Sequence, residues 1–349
     1  MIMHGKSRVK CLTANHTQVY LFMKVIKYVI ILSIMCSFLA AQDPIEPLAE
    51  KIKKISEGLL EGYAQPLVTA FGTGVSTGLF HSAYSHEFLG FDLSVRAMYI
   101  QIPNSAKYYS DAAVVCSLAN GRLVSYDVNL DSIGTIFGPE EQPDIPVSGN
   151  AVGIPPYIPA GFDVSGVPFV MPQLNVGFVM GSELVLRFIP FSYKGSSMRF
   201  FGIGAKQEIN KLPFIKNVHL PVAIAIGGAY QTFGIKDSLG EQIVNTRNWC
   251  LQILVSKRLG PFEPLIGAGI EDTKVYFQYQ FEYEIPDTIN NIPQDRISEI
   301  SDIDVELKAN NHNRIMVGFN FKLGFLYVHY DYNILPYKTH NAIIGFTIR

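Results

Sequence analysis

From Lys274 to Ile285, bulky apolar and polar side chains alternate without a break. Val275, Phe277, Tyr279, Phe281, Tyr283 and Ile285 make one row; Lys274, Tyr276, Gln278, Gln280, Glu282 and Glu284 make the other. Successive side chains of a strand point to opposite faces, so this segment is a strand with one apolar and one polar face. Its length matches the roughly 9–11 residues that a tilted strand needs to cross a bilayer. A soluble β-sandwich can carry the same pattern, so the decision rests on the rest of the chain.

Similar segments recur from Phe88 onward. Phe91, Leu93, Val95, Ala97 and Tyr99 alternate with Asp92, Ser94, Arg96, Met98 and Ile100. Residues 112–119 and 122–130 flank Asn120-Gly121, the strongest short hairpin signal. Further strands are predicted over 173–180, 183–189, 198–206, 219–232, 247–257, 262–285, 303–323, 325–333 and 341–348, with 309–313 a candidate break. The total is about twelve (12–14), and single-chain bacterial barrels use an even number. Two connections are long: 131–172, rich in Pro and Gly, and the mostly acidic 286–302. Membrane barrels carry long external loops and short periplasmic turns, whereas compact soluble domains seldom hold such loops. With Asn120-Gly121 placed at the periplasmic end, both long loops fall outside, and Gly181-Ser182, 259–261 and Leu323-Gly324 become periplasmic turns.

The expected fold is therefore all-β: a transmembrane antiparallel β-barrel over residues 88–349, with a short N-terminal helix and plug segment over 42–87. On its lipid face the alternation places Phe91, Leu93, Val95, Tyr99, Trp249, Leu251, Ile253, Phe319, Phe321, Ile344 and Phe346. Aromatic residues near strand ends, 276–283 and 327–332, read as interfacial girdles. Residues 43–60 have apolar residues at helical spacing (Ile45, Leu48, Ile52, Ile55, Leu59) and read as an amphipathic helix. The small-residue run Gly72-Thr73-Gly74 to Gly78 reads as a strand or a compact coil packed inside something.

Met23-Lys24-Val25-Ile26-Lys27, the apolar run 28–39 and Ala40-Ala41 have the layout of a secretory signal peptide over 23–41. Residues 1–22 then read as an upstream extension. Export permits a disulfide between Cys116 and Cys250, but both sit in strand-like segments and read as apolar fillers. A net charge of −2, with no basic stripe, argues against nucleic acid as a partner. The expected partners are the outer-membrane bilayer, the outer-membrane assembly machinery and a small solute; no cofactor is expected.

Tyr63-Ala64-Gln65-Pro66-Leu67, Gly72-Thr73-Gly74 and Gly78-Leu79-Phe80-His81-Ser82-Ala83 resemble the opening of an uncharacterised family of exported outer-membrane β-barrel proteins of the Bacteroidetes–Chlorobi group. Phe201-Gly202-Ile203-Gly204-Ala205-Lys206-Gln207-Glu208-Ile209, followed by Leu212-Pro213, resembles its second signature. The resemblance implies an outer-membrane barrel with an N-terminal segment inside or beneath it, and no assigned activity. Many such barrels end on phenylalanine, whereas this chain ends Gly345-Phe346-Thr347-Ile348-Arg349.

No catalytic set emerges. His81-Ser82 and His86-Glu87 bring base, hydroxyl and carboxylate close in sequence, but neighbours on an extended chain point apart. His329 and Asp331 share one face of a strand, a metal-ligand spacing without an evident third ligand. The function-bearing candidates are the lumen-lining residues Asp92, Arg96, Glu183, Arg187, Arg314, Lys322, His329 and Asp331. Mixed charges in so narrow a barrel suit a plugged or gated passage for a small, hydrophobic solute. They equally suit charges that pair and hold the barrel shut, as in a structural or adhesive surface barrel. A secreted β-sandwich binding module is the soluble alternative, and an enzyme is not expected.

Overall fold

The computed structural model describes residues 57–119, 122–141, 160–193, 196–215, 220–236, 240–285, 288–289, 292–293 and 297–348. The upstream extension, the signal peptide, most of the helix predicted over 43–60 and the Asn120-Gly121 turn lie outside them. Helix α1 (Glu57–Ser76) is followed by β1 (Phe91–Gln101), β2 (Tyr108–Ala119), β3 (Arg122–Gly134), β4 (Gly166–Gly177), β5 (Ser182–Tyr193), β6 (Ser196–Glu208) and β7 (Ala223–Lys236). Then come β8 (Gln242–Ser256), β9 (Phe262–Ile285), the two-residue pair β10 (Thr288–Ile289) and β11 (Ile292–Pro293), β12 (Ile297–Lys308), β13 (Asn313–Leu323), β14 (Leu326–Ile334) and β15 (Thr339–Ile348).

Ten strands close into an antiparallel ring in the order β9-β13-β14-β15-β1-β4-β5-β6-β7-β8, and β8 returns to β9. Closure leaves the ring without an edge, which excludes the β-sandwich alternative. The count is lower than the twelve read from sequence for one reason. β2 and β3 pair only with each other and form a separate hairpin within the β1–β4 connection, so the hairpin adds two strands without adding two walls. β9 is long enough to pair β13 over its first half and β12 over its second. Residues 309–312 join those two strands and face only 271–273, with Ala309 N donating to Thr273 O and Glu271 N to His312 O. One extra residue on one strand is a bulge, so β12 and β13 are a single long strand bent at that point.

The ring has two unlike mouths. At the C-terminal mouth, β1 begins, β15 ends and the connections after β4, β8 and β13 are tight. Gly260 and Gly324 have φ of +66° and +67° with nothing near a would-be Cβ, so the turn backbone alone requires glycine there. At the loop mouth lie the β2–β3 hairpin, the overhanging β9–β12 pair and the β14–β15 turn.

The outer wall is apolar. Trp249, Leu251 and Ile253 on β8, Ile266 and Ile270 on β9, and Ile315, Val317, Phe319 and Phe321 on β13 are all exposed. On β9 the band runs from Phe262 to Ile270 and gives way to Asp272 and Lys274. Nine residues at ~3.3 Å, tilted by about 40°, rise roughly 23 Å, close to the apolar band of a membrane barrel. The residues between them point inward, where Gln252 and Asn320 mix with Cys250, Met316 and glycines. The exception is the strand that alternates most cleanly in sequence. Of its apolar row, Val275 and Phe277 do not face outward: both are buried, facing inward at the loop mouth. Tyr327, read as part of a girdle, is also buried inside.

Candidate functional site

The interior is filled by the chain's own residues 57–86. Helix α1 enters at the loop mouth, where Leu60, Tyr63, Ala64 and Val68 pack with Ile100, Ile136, Phe137, Ile243, Phe277, Leu307 and Tyr337. The chain then runs as coil to the C-terminal mouth. There His86 Nδ1 meets Glu183 at 2.9 Å and Nε2 meets Thr347 Oγ1 at 3.0 Å, immediately before β1 turns back up. The described helix spans 57–76 and includes Pro66 and most of the small-residue run 72–78 read as a strand or a compact coil. Helix propensity opposes Pro and Gly in such a segment. A ten-strand lumen reverses the preference, because a helix about 10–12 Å wide fits only where its side chains are small. A Cβ on Gly72 would lie 2.5 Å from Thr273 Oγ1, and one on Gly62 would lie 2.1 Å from the Tyr109 ring. Thr69, Thr73 and Thr77 turn their hydroxyls back onto the carbonyl four residues earlier, at 3.0, 2.8 and 2.7 Å.

A helix leaves its last four carbonyls without intrahelical partners and carries partial negative charge at that end. Here the barrel wall supplies most of the donors. Arg314 Nη2 donates to Thr73 O at 3.0 Å and Thr77 N to Gly74 O at 3.1 Å. Arg187 Nη1 and Gln231 Nε2 donate to Val75 O at 2.7 and 2.8 Å. Gln252 Nε2 donates to Ser76 O at 3.2 Å, and Arg187 Nη2 to Thr77 O at 3.0 Å. Arg96 Nη1 donates to Gly78 O, and Gln173 Nε2 to Leu79 O at 2.9 Å. Every carbonyl from Thr73 to Leu79 has a donor, nearly all from a different strand of the ring. Further along, Lys206 Nζ donates to Ser82 O and Tyr84 O at 3.0 and 2.9 Å, and Lys211 Nζ to Ser85 O at 3.0 Å. A buried carbonyl left bare would cost about 1–3 kcal/mol, so this clasp decides how the segment sits.

Of the lumen-lining candidates, Arg96, Arg187 and Arg314 are buried and form the clasp. Arg314 also pairs with Glu271 at 2.7 Å. Glu183 is buried between Lys206, at 3.2 Å, and His86. Asp92 accepts from Tyr327 Oη at 2.7 Å and lies 3.4 Å from His81, whose ring stacks on Tyr327. His329 and Asp331 bond each other at 2.7 Å, with His329 Nδ1 on Asn320 Oδ1 at 2.9 Å, so this pair is a node of the polar network. Among the described residues, no group of three or more potential metal ligands forms. Lys322 stands on the inward row at the C-terminal mouth, half-buried. His81 and Ser82 separate as expected for neighbours: Ser82 Oγ donates to Glu263 at 2.5 Å, away from the imidazole. Cys250 is a free thiol buried against Ala229 and Leu254.

Sequence reasoning missed Lys206, Glu271, Gln173 and Gln231, and placed Gln252 on the polar face without a role. Pairing of these charges with one another was one of two expectations, and Arg96 and Arg187 instead meet backbone carbonyls. The signal that could have found this is the run 72–78, whose small residues permit close approach to a wall that carries three inward arginines.

A family of unknown function, DUF6588, matches residues 23–348 in sequence, and the chain belongs to that family. No curated protein matches the chain in sequence. Among solved structures, the translocator domain of autotransporter NalP from Neisseria meningitidis is similar at 8% identity, covering 79% of this chain and 92% of that one, with a TM-score of 0.27. The TodX deltaS2S3 mutant, a monoaromatic hydrocarbon channel, is similar at 6% identity over 78% of this chain and 98% of that one, TM-score 0.24. The β domain of the Bordetella autotransporter BrkA shares 11% identity over 74% and 99%, TM-score 0.24. Scores this low carry no residue role or function across.

Proposed function

We propose that this family member is an outer-membrane β-barrel whose residues 57–86 are a plug, and that the plugged state is the closed form of a passage for a small solute. The observation that carries the reading is the nature of the plug–wall contact. At the level of the clasp it is a set of hydrogen bonds to backbone carbonyls, which water can replace one at a time. An apolar seal of the same area would have no such substitute. In this reading the loop mouth faces outside, the tight turns face the periplasm, and residues 23–41 direct export.

The test locks the plug. In a background with Cys116 and Cys250 replaced by alanine, Ser76→Cys and Asn248→Cys join positions whose native side chains bond at 2.9 Å. Liposomes holding this variant are expected to swell slowly in small neutral solutes when reduced, and not at all when oxidised. Equal swelling in both states would overturn a moving plug.

A structural or adhesive barrel is the second reading. The overhanging β9–β12 pair and the β2–β3 hairpin favour it, since both project from one mouth. On that reading neither redox state passes solute.

A further inference from the structure

On the outer wall, at the loop-mouth edge of the apolar band, three cations stand in one cross-strand row. Arg247 on β8 is directly opposite Lys274 on β9, and Lys274 is directly opposite Lys308 on β12. Directly opposed residues of antiparallel strands have Cβ atoms about 4.5–5.5 Å apart, and like charges there are destabilising. One carboxylate relieves the middle of the row: Glu306, in the row above, meets Lys274 Nζ at 2.9 Å. Asp272 lies in the row below, and Arg247 places its guanidinium over the Tyr276 ring at 5.4 Å. The same lower row holds Tyr230 and Trp249, both exposed, and beneath them the wall is Leu251, Ile253 and Ile270.

The heights match a lipid surface. One row is two residues, about 6.6 Å along a strand. The polar layer on each side of a bilayer is roughly 5–8 Å deep, half the difference between about 40–45 Å overall and ~30 Å of hydrocarbon. With Trp249 and Tyr230 at the edge of the hydrocarbon, the three cations stand where lipid phosphates stand.

We infer that Arg247, Lys274 and Lys308 bind the phosphate groups of anionic lipids in the leaflet at the loop mouth. A phosphate oxygen between neighbouring cations turns their repulsion into shared attraction, and the Arg247 fork suits bidentate contact. The inference rests on the membrane-barrel reading.

Trp249 is the chain's single tryptophan and reports on the site directly. The full protein is reconstituted in phosphatidylcholine bilayers containing brominated phosphatidylcholine or brominated phosphatidylglycerol, and quenching of Trp249 is compared. The expected result is quenching by both lipids, with a several-fold preference for phosphatidylglycerol that weakens at high salt. R247Q/K274Q/K308Q is expected to bring the preference to about one, while Lys338→Gln, exposed elsewhere on the loop mouth, leaves it intact. No preference in the native protein, or an undiminished one in the triple variant, overturns the inference. Loss of the preference on adding inorganic phosphate would assign the row to a free anion and overturn the lipid. Absence of quenching by either lipid would remove the membrane reading itself.

Discussion

Arg187 donates to four acceptors at once: Gln173 Oε1, Val75 O, Gln231 Oε1 and Thr77 O, at 2.7 to 3.2 Å. Bonds from a charged donor are worth about 1.5–3 kcal/mol each, and while the plug is seated the carbonyls they serve are buried. Arg187→Met should therefore destabilise the folded barrel by about 3 kcal/mol, read as a lower temperature for loss of its compact gel band. Two glycines allow a sharper contrast. Gly78 and Gly260 have φ of +67° and +66°, but only Gly78 has a neighbour, Asn341 Oδ1, 2.9 Å from a would-be Cβ. Gly260→Ala should cost about 1–2 kcal/mol from backbone strain alone. Gly78→Ala, with the same strain and a clash inside the lumen, should cost more, and the same thermal measurement ranks them. The inward positions of Asp92, Arg96, Glu183, Arg187 and Arg314 were legible from alternation alone. Their partners were not, because a backbone carbonyl leaves no mark in a sequence.

At the scale of elements, period-2 alternation located every strand of the ring but could not tell a wall strand from an excursion. β2 and β3 alternate like the others; what removes them is whom they pair with, and pairing is a long-range property. Helix α1 over 57–76 was not legible because of a competing effect: its glycines and Pro66 weigh against a helix locally, and only the narrow lumen makes them the residues that fit. The overhang offers a test of which strands matter. The ring pairs β9 through Phe277 at most, on β8. Replacing residues 279–303 by an Asn-Gly turn should leave the barrel folded, with its heat-dependent gel shift intact. The direction of α1 offers another. Because Leu60 packs at the loop mouth and β15 ends at the other, an epitope inserted before Glu57 and one after Ile348 should lie on opposite faces of the membrane. In intact cells, antibody should bind the first and not the second.

For the whole molecule, two observations combine: a closed ring with an apolar outside, and an inside occupied by the same chain. Together they imply a barrel that forms a wall without forming a pore while residues 57–86 remain clasped. The overall fold class was readable from the sequence because lipid outside and a polar interior impose one alternating pattern on every wall strand. That the interior is filled was not, since filling depends on strand number and on how closely a helix can approach. Conductance across a planar bilayer tests this most directly, comparing the intact protein with a variant lacking residues 43–86, both first shown to be folded by their gel shift. The intact protein is expected to give no resolved current steps and the shortened one stable steps. Equal conductance from both would contradict it.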